Sequence, residues 1–396
     1  MDPAGSFGEL LERGVVYRAR LPMIGKVWTT TTWQSVSECL RNSDDFVRDP
    51  INAGRKNYSW IQNVIPSLFK KLANNMLTAD GEKHRRLRTL VDQAFQRQSI
   101  ERMTDSIQSI VDHELDKIEL EFKNGAASVD FVPKFCRPIP LAVICELLGL
   151  PETDRAKFSK WFSGMSRLGS IVDILRLLPM MKKTMKYLEE QFEEVRKQPR
   201  PGLMSALVQA EENGDQLNRD ELVSTVMILL LAGHETTVHL LSNSLLTLLQ
   251  FPQTKTSLVD DWSNCDATID EVLRWCAIIH ITKPRFVARD MDFHNQRLVR
   301  GEMIVPLIGC ANFDPAEFDN PAEFRIDRKP NRHMTFGNGP HVCIGMKLAK
   351  AETNIALKQL LHRWPNLNAA FDVSQPQFAR RLGMRALKTL PLSLRN

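Results

Sequence analysis

Residues 219–250 constrain the fold more than any other stretch of this 396-residue chain. Val226-Met227-Ile228-Leu229-Leu230-Leu231-Ala232 is apolar on every side, so a helix through it has no face to offer water and must be wrapped by other elements. Asn218 and Glu221 stand at capping-box spacing and Pro252 follows the last apolar residue, which predicts one uninterrupted helix of ~45 Å. Helical periodicity recurs at 82–95, 99–123, 137–149, 153–168, 183–197, 266–278 and 346–363, giving a mainly α protein. The strand-like runs are few. They predict a small β-rich subregion built from about 14–36, 285–308 and 386–394 beside the helical core, within one large domain over residues 1–396. The loop Lys197-Gln198-Pro199-Arg200-Pro201-Gly202 is expected to join two helices, not two folding units.

At 43% hydrophobic and 25% charged, the chain is neither collagen-like nor disordered. The net charge of +5 comes from scattered basic doublets such as Arg85-Arg86 and Lys182-Lys183, which excludes a nucleic-acid groove. Seven cysteines, an odd number without a Cys-x-x-Cys, indicate a reducing compartment and a cytoplasmic protein. The start Met1-Asp2-Pro3-Ala4-Gly5 lacks a signal pattern, and no membrane anchor is expected. The apolar stretch with Ile171, Leu175, Leu178 and Met181 is expected to form a lid over a pocket in preference to a membrane contact.

Two segments carry unusual chemistry. Phe336-Gly337-Asn338-Gly339-Pro340-His341-Val342-Cys343-Ile344-Gly345 wraps glycines and a proline around one cysteine and runs straight into a helical stretch. The spacing fails as a phosphate loop and as a dinucleotide fingerprint. A cysteine at a helix N-terminus is expected to be held as thiolate, the form that ligates metals. The second segment, Gly233-His234-Glu235-Thr236-Thr237, puts polar groups into the middle of the buried helix, where they need partners or a task. Thr236 bonded back to the preceding turn and Glu235 paired with a base are the structural alternatives. Glu271 with Arg274, and His84 with Arg88, have helical spacing that by itself describes ordinary surface pairs and basic faces.

Together these segments resemble the cytochrome P-450 family over roughly residues 77–392. Its cysteine loop, Phe-x-x-Gly-x-(Arg or His)-x-Cys-x-Gly, is matched at Phe336, Gly339, His341, Cys343 and Gly345. The resemblance implies haem b (iron protoporphyrin IX) with Cys343 as axial thiolate, the ligand that favours O–O cleavage. It implies Phe336 near the sulfur and Gly345 among the haem-binding residues. Ala232-Gly233-His234-Glu235-Thr236-Thr237 is similar to the family's oxygen-activation motif. There Ala232 and Gly233 border the haem, Gly233 making room for it, Thr236 holds dioxygen and water, and Glu235 connects a proton path. Glu271, Arg274 and Arg328 would form a structural network, and His84, Arg88, Arg285 and His341 would meet the haem propionates.

The implied reaction is insertion of one oxygen atom into a C–H or C=C bond of a largely apolar small molecule. Pocket candidates, by position relative to the motifs, are Trp60, Ile61, Ile65, Phe69, Leu229, Ile279, Ile281, Thr282, Leu382 and Met384. With no room for a fused flavin domain, a ferredoxin-type donor is implied, with Arg85, Lys347 and Lys350 as docking contacts and a monomeric enzyme. Peroxide-driven oxidation, oxidative coupling, or a haem- or ligand-binding protein without activity are the alternatives. An intact Glu235-Thr236 pair argues against all three.

Overall fold

The computed structural model describes residues 3–22, 24–55, 75–97, 100–162, 171–212, 218–379, 381 and 383–394. The chain runs through α1 (Pro3–Glu12), β1 (Val16–Leu21), β2 (Gly25–Thr30), α2 (Trp33–Arg41), β3 (Phe46–Val47), α3 (Gly81–Arg97), α4 (Ile100–Lys123), β4 (Val129–Asp130) and α5 (Pro138–Leu148). It continues with α6 (Arg155–Phe162), α7 (Ile171–Lys197), α8 (Leu203–Glu212), α9 (Arg219–Gln250), α10 (Pro252–Asp260) and α11 (Cys265–Cys276). The last part holds β5 (Arg285–Val287), β6 (Met291–Phe293), β7 (Gln296–Leu298), β8 (Met303–Pro306), α12 (Ile308–Ala311), α13 (Met346–Arg363), β9 (Asn368–Ala369) and β10 (Pro391–Ser393).

Helix α9 is the axle. Its capping box forms: Glu221 N donates to Asn218 Oδ1 at 2.9 Å and Asn218 N donates to Glu221 Oε2 at 3.2 Å. Helices α5, α7, α11 and α13 pack around it, and Leu222, Val226, Leu230, Leu241 and Leu245 join one apolar core with residues from those helices. Each such side chain contributes about 1.5–3 kcal/mol on burial. By length and composition α9 passes as a membrane span, yet 72% of its most apolar window is buried against protein, so it is read as a core helix.

The larger sheet has the order β1-β2-β8-β5-β3. β1 and β2 form an antiparallel hairpin, β2 runs parallel to β8 with Trp28 opposite Ile304, and β5 is antiparallel to both β8 and β3. The expected meeting of 14–36 with 285–308 occurs here, although the first region turns helical at Trp33, where Thr32 Oγ1 accepts from Ser35 N at 3.3 Å. Residues 386–394 do not join this sheet. β10 pairs instead with β4 and β9, fixed by the Asp130 carboxylate, which accepts from Leu390 N at 2.8 Å and Val132 N at 3.1 Å.

Residues 171–181, expected as a lid, are the opening turns of α7, which begins twelve residues before the periodic stretch at 183. Met180 and Met181 there pack against the main core. The helix expected over 153–168 is described only as α6, ending at Phe162.

Candidate active site

The cysteine loop is pinned before α13 begins. Cys343 N donates to Phe336 O at 2.9 Å, Val342 N to Gly339 O at 3.0 Å and Gly337 N to Met334 O at 2.7 Å. Asn338 Nδ2 donates to Ser37 Oγ on α2 at 2.9 Å. Gly339, at φ +72°, lies so close to α2 that a Cβ there would stand 2.6 Å from Leu40 O. Six cysteines are buried, whereas Cys343 opens onto a cleft between this loop and α9. Burial pushes its thiol above the ordinary value, against the Gly345 backbone N–H and Arg88, which pull it down. A cation bound at this position would favour the thiolate further.

The cleft is almost wholly apolar. From α9 it is lined by Leu229, Ala232, Gly233, Thr236, Thr237 and Leu240, and from the cysteine side by Phe336, Cys343, Ile344, Gly345, Leu348, Ala349 and Glu352. Phe95, Ile144, Leu273, Ile278, Ile279 and Thr335 complete the wall. Gly233 answers to more than the cleft, because a Cβ there would press on Ile144 Cδ1 of α5 at 3.1 Å. Glu352 was not foreseen: it is buried, its Oε2 has no partner among the described residues, and burial raises its carboxyl well above the usual range.

Thr236 Oγ1 donates to Ala232 O at 2.7 Å and Thr237 Oγ1 to Gly233 O at 3.0 Å. The back-bonded alternative therefore holds for Thr236 while its side chain still faces the cleft. Glu235 is not on the cleft wall. It is buried beside Arg381, whose guanidinium donates to Oε1, and His239, whose Nε2 lies 3.3 Å from the same oxygen. Burial pushes this carboxyl up, but the hydrogen bond from His239 and the charge of Arg381 win and hold it near 2. His234 lies 3.3 Å from Arg137 O, and burial lowers its pKa to about 4.

A second set of charges converges where β5, α3 and the cysteine loop meet. The His84 and His341 rings lie 4.1 Å apart. Arg88 donates to Val342 O at 2.7 Å and Asp92 Oδ2 at 2.9 Å. Arg285 is fully buried; it donates to Phe46 O at 2.9 Å and Leu40 O at 3.1 Å, and its Nε is unpartnered. Burial, together with Arg48, His84, Arg285 and Arg88, pushes His341 down to about 2. Arg48 was missed: it stands alone in sequence, and only the pairing of β3 with β5 brings it beside Arg285. The two histidines, both with lowered pKa values, are therefore neutral, and the buried positive charge here is that of Arg48 and Arg285, which favours an anion nearby.

The Glu271–Arg274 pair is no surface pair. Both residues are 0% exposed, joined by two bonds of 2.8 and 2.7 Å. Arg274 also donates to the carbonyls of Asn312, Pro321 and Glu323, while Arg325 N and Asn331 Nδ2 donate to Glu271. Arg328 Nε stands 3.4 Å from Glu271 Oε2, as the third member.

Of the pocket candidates, Leu229 and Ile279 line the cleft, and Met384 holds Ile279 in an isolated antiparallel bridge. Ile281 and Thr282 do not line it. Ile281 packs in the cluster of Phe7 and Val305 under the sheet, because Thr282 N donates to Pro306 O at 3.2 Å and draws the chain onto β8. Trp60, Ile61, Ile65, Phe69 and Leu382 lie outside the described residues.

The site suits a haem with a cysteine ligand. Among the described residues no three His, Cys, Asp or Glu side chains converge on a metal position, and a macrocycle could supply the remaining ligands of a metal at Cys343. The cleft supplies apolar walls for such a group, and Arg88, Arg285 and Arg48, with His84 and His341 as neutral hydrogen-bonding rings, would hold its carboxylates.

The comparisons agree. A family model described as cytochrome P-450 matches residues 24–367. A Bacillus subtilis (strain 168) cytochrome P-450 is 33% identical over 98% of this chain and 93% of its own length. The mycinamicin IV hydroxylase/epoxidase of Micromonospora griseorubida is 30% identical, covering 98% of this chain and 95% of that one. The crystal structure of a P-450 in complex with hexadec-9Z-enoic acid ligated acyl carrier protein superposes with a TM-score of 0.87 at 30% identity, over 99% of this chain and 98% of that one. With cysteine loop, polar break in α9 and buried Glu271–Arg274 network in one chain, the protein belongs to the cytochrome P-450 family of oxygen-incorporating monooxygenases.

Proposed function

We propose that residues 1–396 act as one haem-thiolate monooxygenase unit that inserts an oxygen atom into a C–H or C=C bond of a largely apolar small molecule. The observation that carries this reading is that Cys343 and Thr236 open onto the same apolar cleft, with Glu235 buried behind Thr236. Haem b, held by Cys343 and by His84, Arg88, Arg285 and His341, supplies the oxygen chemistry when bound. The chain's own residues do the rest. Leu229, Ile279 and Leu240 exclude water and bind apolar surface. Thr236 presents a hydroxyl to the cleft, and Glu235, ionised beside Arg381, acts as a relay that takes up a proton and passes it on through Thr236.

Electrons come from a separate ferredoxin-type donor in the cytoplasm, to which a monomer presents the exposed Arg85 and Lys347. Lys350 is withdrawn from that role, since its Nζ sits 2.8 Å from Asp270 Oδ1. Fatty acyl chains are a favoured substrate class, in keeping with the hexadec-9Z-enoic acid carried into the structural relative by acyl carrier protein.

The test is a screen of the haem-loaded protein for a substrate-induced spin-state shift with hexadec-9Z-enoic acid, terpenoids, steroids and macrolide-like compounds. Turnover of hits follows, with reductase plus oxygen against peroxide alone. Oxygenated product from reductase and oxygen supports the reading; product from peroxide only, or none from any hit, overturns it.

A further inference from the structure

Behind Thr236, α9 buries a second polar group that no part of the mechanism has used. His239 is 2% exposed, one helical turn beyond Glu235. Its Nε2 lies 3.3 Å from Glu235 Oε1, and its Nδ1, like Glu235 Oε2, has no hydrogen-bond partner among the described residues. Arg381 donates to Glu235 Oε1 and lies 3.5 Å from His239 Nε2. Of these neighbours, a guanidinium holds a carboxylate but does not release a proton. An imidazole does both near neutral pH. His234 Nε2 lies 3.3 Å from Arg137 O.

We propose that His239 is the positioning and proton-supplying partner of Glu235: its Nε2–H holds Oε1, and its bare Nδ1 takes up the proton that replaces the one passed on. The proposal rests on the reading of Glu235 as the acid of the proton path. In the transfer the N–H bond at Nε2 breaks and an O–H bond forms on Oε1. A hydronium ion from solvent gives its proton to Nδ1 and becomes water, so the ring ends neutral in its other tautomer and one proton has moved. The charged and titratable groups facing the ring are Glu235, Arg381, Arg137 and His234. Burial and the two arginines keep it neutral, against Glu235.

Two measurements test this. In haem-loaded, carbon-monoxide-bound ferrous protein with ¹⁵N-labelled histidine, nuclear magnetic resonance is expected to show His239 at pH 7 as the neutral Nε2–H tautomer. Its pKa is expected below the ordinary histidine value, and lower still in Glu235→Gln. A neutral Nδ1–H form, or a titration indifferent to Glu235→Gln, overturns the proposal without requiring any His239 variant. Second, steady-state oxygen consumption by the protein reduced through a surrogate ferredoxin and ferredoxin reductase is compared in Glu235→Gln and His239→Gln. His239→Gln keeps a hydrogen-bond donor without an imidazole. Both are expected to slow it at least about ten-fold and to raise the solvent deuterium isotope effect. Glu235→Gln running at the unaltered rate sinks the reading of Glu235 itself. Glu235→Gln slow while His239→Gln keeps rate, isotope effect and pH profile sinks the role of His239 alone.

Discussion

A single carboxyl, Glu352, sets a pH dependence that the rest of the site does not. It is buried with an unpartnered Oε2, and burial alone holds its proton. Its folded-state pKa is raised, so above about 4.3, the ordinary glutamate value, the unfolded chain loses this proton while the folded chain keeps it. Stability therefore falls as pH rises, by at most about 1.4 kcal/mol per unit from this group. Glu352→Gln is expected to match the unaltered chain near pH 4 and to be more stable at pH 8 in urea unfolding; equal stability at both pH values would contradict the assignment. Glu271 is the opposite case. Glu271→Gln leaves Arg274 buried and unmatched, and about 3–5 kcal/mol of stability is expected to go with it, read as a lower unfolding midpoint.

At the scale of elements, the cysteine loop is held in place by α2. Gly339→Ala drives a Cβ against Leu40 O, where 2.6 Å separates them, and imposes a side chain on a left-handed residue. A loss of about 1–3 kcal/mol and weaker haem retention on dilution are expected; unchanged retention would mean that α2 does not set the loop. The long helices were legible in the sequence because their period and caps are local: α9 begins and ends where Asn218 and Pro252 place it. β10 was misassigned because a three-residue strand is chosen by its partner, here β4, and no propensity records that choice. The start of α7 was missed for a related reason, since Pro179 and a plain apolar run conceal helical periodicity. In the site, Cys343, Glu235 and Thr236 could be named from their motifs. Arg48, His239, Arg381 and Glu352 could not, because each acquires its neighbours only when distant segments pack.

For the whole molecule, a charge of +5 is too small to steer a partner by itself, so a local basic face must do so. Arg85→Glu combined with Lys347→Glu is expected to slow reduction by an acidic ferredoxin several-fold at low ionic strength, the difference fading as salt approaches 1 M, where screening reaches only ~3 Å. An unchanged rate and salt dependence would remove those residues from the docking face. The fold around them serves one geometry: α9 and α13 are packed together so that a cysteine and a threonine, 107 residues apart in sequence, open onto one cleft. The most direct check is the optical spectrum of the haem-loaded protein, reduced and treated with carbon monoxide. A Soret band displaced to long wavelength, as thiolate ligation requires, is expected in the unaltered chain and absent in Cys343→Ala and Cys343→His. A spectrum that survives either substitution, or protein that stays colourless after loading with haemin, would contradict the assignment of Cys343 as the iron ligand.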